Sequence, residues 1–494
     1  MREAVRPRPS LTLRAALVGV CAAAVAGCSF APPYTPPPST PVTAFKEQGR
    51  FTVATPDDTL PRGAWWEVYG DPTLNGLETR IATSNPTLAG ALAAYNQATA
   101  FLAQASAALG PRIGTSGFTT GNRQSNDRPL RGSNQPNEYM ANSLSGAVDY
   151  ELDLWGRVRN LVASGADQAQ ASAADIAGLK LSLQGQLAES YLQLRGLDAQ
   201  LSLLRNTVDA YGRAYALVDR RHRGGVSSGL ELSRSATQLA SARAQVSDTA
   251  AARALVEHAI ASLVGDPASN FTLAESTRTP PVVVVPTGLP STLLQRRPDV
   301  AAAERRVAAA NAQIGVARAA FYPAITLNAS GGFQSTERTS FFTPGDTLWS
   351  FGPSAALTLF DNGRRRAVEA AAFAARDAAA AQYRARVLVA FQEVEDALSQ
   401  LNQLGAETID QEAAVRAASR TEALSLIRYQ QGATTLLDVV VAQTAALQAR
   451  QAALNLSTRR LTASVRLIRA IGGGWSTDDL PAIRAATPQP AAPA

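Results

Sequence analysis

Aromatic residues make up only 6% of this 494-residue chain. That is too few for the thick cores of the two or three globular domains its length would allow. Cysteine and histidine are scarcer still, at two each: Cys21, Cys28, His222 and His258. A zinc site built on those ligands is therefore excluded. Two methionines and no histidine-rich tract argue against a dedicated copper or silver role. No phosphate-binding P-loop, His-Glu-x-x-His or Gly-x-Ser-x-Gly phrase occurs, so no catalytic constellation is visible and an enzyme is not expected. The acidic pairs Asp57-Asp58 and Asp478-Asp479 sit in loop-like surroundings and read as solvated charge. Proline is missing between Gly156 and Gly265 and again between Gly363 and Pro481. That absence permits helices far longer than the globular norm.

What is present begins with an export signal. Arg2, Arg6, Arg8 and Arg14 precede the apolar run 15–26, which is too short to span a bilayer. The run ends in Val25-Ala26-Gly27-Cys28, similar to the lipobox of bacterial lipoproteins. Residues 1–27 are thus expected to be a signal peptide and Cys28 the lipid attachment site, its thiol taking a diacylglyceryl group and its amine an acyl chain. A plain signal peptide with a chance cysteine is the alternative. Ser29, where a retained lipoprotein often has Asp, favours the outer membrane. Loss of the signal removes four Arg and one Glu, so the mature charge is +3 in place of +6. The basic balance is therefore no nucleic-acid footprint. The Pro-, Ser- and Thr-rich stretch that follows reads as an extended tether within a segment 28–80.

The chain then states one plan twice. Asn85-Pro86 faces Arg297-Pro298 and Pro111 faces Pro323, at a shift of 212; Gly156 faces Gly363 and Gly225 faces Gly432, at 207. The five-residue drop places a longer surface loop in the first copy, between residues 113 and 155. The repeats are expected at 81–264 and 297–471, with a connector over 265–296 and a disordered tail over 472–494. Each copy reads helix, strand, loop, strand, very long helix, turn, helix. Ile325, Leu327, Ala329, Gly331 and Phe333 alternate with polar or small residues, as do Phe351 to Leu359 and Leu144 to Leu152. Strands of about ten residues with one apolar face suit a tilted membrane crossing. Trp155, Tyr322, Phe342 and Trp349 gather near their ends like an interfacial girdle. The weakest strand, 112–120, holds Ile113 and Phe118 on opposite faces. A hairpin over a soluble core would also alternate. The long helices should run about 65 residues, or on the order of 100 Å. Val440, Leu447, Leu454, Leu461 and Ile468 repeat at sevens, a coiled-coil seam. A soluble bundle would explain the seam but not the hairpins.

Five phrases in order carry a resemblance: Trp65-Trp66 with Asp71-Pro72-Thr73-Leu74; Arg296-Arg297-Pro298-Asp299 running on to Gly315-Val316-Ala317-Arg318; Phe321-Tyr322-Pro323; Leu359 to Arg364; and Arg428 to Gly432 with Leu437-Asp438-Val439. On these the chain resembles the TolC-like outer-membrane efflux family, of the NodT lipoprotein type. The resemblance implies a mainly α fold with membrane β. Three chains would share a twelve-stranded barrel, four strands from each, continued by a long periplasmic α-helical barrel. It implies a passive exit duct for small toxic molecules, a homotrimer touching outer-membrane lipid, a periplasmic adaptor, and an inner-membrane pump reached through it. No cofactor is implied beyond the covalent lipid, and no nucleic acid.

Four strands cannot close a barrel alone, and lipid tolerates no open edge. Pro111 and Pro323 suit the helix-to-strand junctions, and Gly156 and Gly363 the return. In the family the gate lies at the periplasmic tip, in rings of acidic residues. Asp438 matches one ring position; Val441 stands at a second and Thr434 where some members carry arginine. A single acidic ring with an apolar collar is the expected gate. A helix N-terminal charge is the plainer role for Asp438, and Glu231 is its counterpart in the first copy. Rival readings are a type I protein-secretion duct of the same fold and a periplasmic adaptor, which would need flanking β-barrel and lipoyl-like domains.

Overall fold

The computed structural model describes residues 29–38, 44–47, 64–127, 135–278, 280–281, 296–336 and 342–481. The expected signal, Cys28, Asp57-Asp58 and the far tail lie outside them. In chain order the elements are α1 (Pro72–Ser84), α2 (Pro86–Ala107), β1 (Arg112–Arg123), β2 (Glu138–Leu152), α3 (Arg157–Arg223) and α4 (Gly229–Leu263). Then come α5 (Pro298–Ala319), β3 (Ala324–Ser335), β4 (Thr347–Ala356), α6 (Arg364–Gln430) and α7 (Leu436–Ala470). The duplication is quantitative: α3 and α6 are both 67 residues, and α4 and α7 both 35. At 1.5 Å per residue each long helix runs about 100 Å. Among the described residues no helix is long and apolar enough to cross a membrane.

Proline opens α2 and α5 at N1, where its missing N–H costs nothing. The strands form one antiparallel sheet in the order β1-β2-β3-β4, so β1 and β4 each keep an open edge. The register aligns one apolar face across all four strands: Ile113 opposes Val148, Val148 opposes Ala329, and Ala329 opposes Phe351. Leu144 opposes Phe333, and Tyr150 opposes Leu327. The other face is small and polar. There Ser330 and Ser350 share a hydrogen bond of 2.8 Å, and Asn328 Nδ2 donates to Ser354 Oγ at 2.8 Å. Phe118, opposite Ser143, Tyr139, opposite Asn122, and Leu348, opposite Gly332, are larger side chains on this face.

Two strand ends differ from expectation. β1 runs on to Arg123, paired with Glu138. β4 stops at Ala356, so Leu357 and Leu359 lie beyond the sheet. The reason is local: Ala356 pairs with Ala324, and the next residue on that strand is Pro323, which has no N–H to extend the ladder.

The main core lies where α3 packs against α2, α4, α5 and α7, and α6 against α5 and α7. The short turn Trp65–Tyr69 docks there with Trp65 and Tyr69 fully buried. Tyr69 Oη meets Ser464 Oγ at 2.8 Å, and Tyr191 Oη donates to Asp71 Oδ2 at 2.7 Å. Asp71 in turn accepts from the Thr73 and Leu74 amides and caps α1. The segment 29–38 is extended, as its prolines require, yet it does not hang free. Asn311 Nδ2 donates to the Pro32 carbonyl at 2.8 Å, Ser29 Oγ donates to Asn160 at 3.0 Å, and Tyr34 bonds Glu304.

Candidate functional site

Three groups of residues define how sheet, helices and turns are joined. The first is the junction. Pro111 and Pro323 each occupy the gap between a helix end and a strand start. The Pro323 carbonyl accepts from the Trp155 indole at 2.7 Å, tying the second repeat's entry to the first repeat's exit. Trp155 stacks on Tyr322 at 5.0 Å, and Tyr322 on Phe30 at 4.4 Å. Gly156 and Gly363 precede the long helices with φ of +73° and +87°, a left-handed turn that other residues rarely adopt. An aspartate completes each turn. Asp153 accepts from the Val158 and Arg159 amides, and Asp361 from the Gly363 and Arg365 amides. These carboxylates satisfy the first free amides of α3 and α6. Sequence reading missed that role, although the signal was there: an Asp two or three residues ahead of Gly-Arg in both copies.

The second group closes the helices at the opposite side of the core. Asn85 Nδ2 donates to the carbonyl of Leu263, the last residue of α4, at 2.8 Å. Arg297 Nη1 donates to the carbonyl of Ala470, the last residue of α7, at 3.1 Å. Asn85 and Arg297 are repeat-equivalent, and so are Leu263 and Ala470. Gly265 and Gly472 follow those helices with φ of +80° and +97°. A Cβ on Gly265 would lie 2.3 Å from the Ser84 carbonyl oxygen, and one on Gly472 1.9 Å from that of Arg296. The same backbone crossing is built twice. Only the clamp differs: an amide in the first copy, and in the second a buried guanidinium that also bonds Asp299 and Glu393.

The third group is the pair of far turns. Ser228 precedes α4 and Glu231 sits at its third position; each side chain bonds the other's backbone amide at 3.2 Å. Asp438 repeats this on α7, accepting from Thr435 N at 3.2 Å, Thr435 Oγ1 at 2.9 Å and Thr434 Oγ1 at 2.5 Å. Those bonds, with Arg428 nearby, hold its carboxyl below the usual range. The side chain is exposed at the tip. Leu437 and Val441 beside it are 45% and 60% exposed. Val218 of the first hairpin and Tyr429, Leu436 and Val439 of the second make a small core that joins the two turns. Arg221 lies 5.1 Å from the Tyr429 ring. The Tyr429 hydroxyl is buried without a hydrogen-bond partner. Among the described residues no group of three His, Cys, Asp or Glu side chains could hold a metal ion.

The family model described as "Outer membrane efflux protein" matches residues 79–266 and 289–473. The pyoverdine export outer membrane protein OpmQ of Pseudomonas aeruginosa is 33% identical over 90% of this chain and 94% of its own length. Outer membrane protein OprJ of the same organism is 32% identical over 95% of this chain and 97% of its own. The solved outer-membrane channel OprN superposes with a TM-score of 0.84 at 28% identity, covering 91% of this chain and all of that one.

Proposed function

The chain belongs to the outer membrane efflux protein family, and from that premise we propose how its copies assemble, anchor and gate. It is an outer-membrane efflux channel component with a TolC-like fold. The carrying observation for assembly is the four-stranded sheet whose outer strands each lack a neighbour on one side. Three chains supply twelve strands, the apolar face meets lipid, and the serine- and asparagine-lined face meets water. The helices continue the duct into the periplasm for about 100 Å. There the far turns meet an adaptor, which links the duct to an inner-membrane pump. Relatives named for toluene and pyoverdine support small organic molecules as the cargo. The duct is passive and needs no cofactor.

Cys28 carries the lipid. The reading is supported by the residues that follow it: Ser29 bonds Asn160, and Phe30 stacks on Tyr322 beside the helix-strand junction. Asp438 forms the narrow acidic ring. Three carboxylates at small radius attract cations, and Leu437 and Val441 surround them as an apolar collar. The test is single-channel recording in planar bilayers. Asp438→Ala is expected to raise conductance and lower cation preference; unchanged values would remove Asp438 from the gate.

A further inference from the structure

The two far turns share a backbone but not a surface. Over residues 213–234 the first holds Arg213, Arg220, Arg221, Arg223 and Arg234 against Asp219 and Glu231, a net charge of +3. The equivalent window 420–441 holds Arg420 and Arg428 against Glu422 and Asp438, a net charge of zero. Within the first turn the charges divide further. Arg223 pairs with Asp219 at 2.6 Å while its own side chain stays 78% exposed. Arg221 is engaged by Tyr429, and Glu231 by the cap of α4. Arg220, Arg223 and Arg234 are exposed around the turn, and so are Val226 (73%) and Leu230 (60%). Two exposed apolar side chains on a turn whose flanking helices carry three exposed arginines form a surface that is costly to leave in water and repels a basic partner.

Helix-end cations also complement the α3 dipole, but that role asks for no apolar pair and no Arg234 across the turn. The turn's position narrows the occupant. α3 carries it about 100 Å from the sheet, out of reach of outer-membrane head groups. We infer that the α3–α4 turn is the electrostatic half of the adaptor contact, receiving a helical-hairpin turn whose apolar tip is flanked by Asp and Glu; the α6–α7 turn, whose charges cancel, makes the other half. This rests on the adaptor docking proposed above.

The experiment places a photoreactive phenylalanine analogue at position 226 or, separately, at 433 in the full-length channel. The cells used depend on this channel for drug efflux. Both positions are expected to capture the same periplasmic protein. The peptide caught at 226 should be a hairpin turn rich in Asp and Glu. Arg220→Glu with Arg223→Glu should cut capture at 226 and efflux by at least about tenfold, with trimer and conductance unchanged. Arg220→Lys with Arg223→Lys should keep both within about twofold. Full efflux and capture in the charge-reversed channel would overturn the inference, as would a neutral or basic peptide, or a cell-wall polymer, caught at 226. Efflux with no protein caught at either position would also sink the docking reading itself. A protein caught at both positions, with efflux indifferent to charge, would sink only the electrostatic half.

Discussion

The helix crossings at the core and the turns at the far end make an instructive pair, since both were duplicated together. At the crossings the two copies share the same parts: a glycine at positive φ, a carbonyl pressed against it, and a side-chain clamp on the last helical carbonyl, though the clamping residue differs. At the turns the backbone and the capping carboxylate persist, while charge differs by three. Where a repeat packs on its own chain, geometry constrains it. On the docking surface proposed for the turns, only the partner's chemistry would.

The comparison can be broken most severely at the crossings. Gly265→Ala and Gly472→Ala each add a Cβ inside a carbonyl's radius at a φ that disfavours it. Each should cost on the order of 4 kcal/mol or more, read as loss of folded, membrane-inserted protein. A harmless substitution at either site would show that the crossings are not equivalent. Next come the clamps. Arg297→Ala removes a buried clamp and leaves Asp299 and Glu393, both partly exposed, without it, and should cost about 2–3 kcal/mol. Asn85→Ala removes a neutral bond and a cap, for about 1–2 kcal/mol. Thermal unfolding measures both, and equal costs would deny the buried charge its weight.

A pH-dependent effect concerns α1. Glu78 is fully buried with neither oxygen bonded, and burial pushes its carboxyl up to about 9. A folded-state value above the unfolded one means stability is intact below about pH 4.5 and declines as pH rises towards 9. Glu78→Gln should therefore raise Tm at pH 8.5 and leave it unchanged at pH 4.5. The same gain at both values would refute the titration. Smallest are the caps. Glu231→Ala and Asp438→Ala should lower Tm slightly and alike, but only the second should alter conductance. A conductance change from Glu231→Ala would move the gate, or share it between the turns.

Much of this was legible in residues. The repeat shifts, Pro86 and Pro298 at N1, the glycine turns and the long proline-free runs follow from backbone rules that act locally. Period-two patterning identified the hairpins, but the end of β4 was set by Pro323 on its partner strand, which no pattern within β4 reveals. The clamps were illegible for the same reason. Asn85 and Arg297 were noticed beside their prolines, yet their bonds reach across 178 and 173 residues. The N-terminal segment read as a tether because its composition is that of one, and its docking depends on Asn160 and Asn311, far along the chain.

Duct, gate and docking surface all require three chains to close one barrel. The native mass of the full-length protein, purified in detergent and corrected for bound detergent, tests this directly. Three copies per particle, with conductance in planar bilayers, is the predicted result. A conducting particle of one or two copies would contradict it, since four or eight strands would then have closed alone.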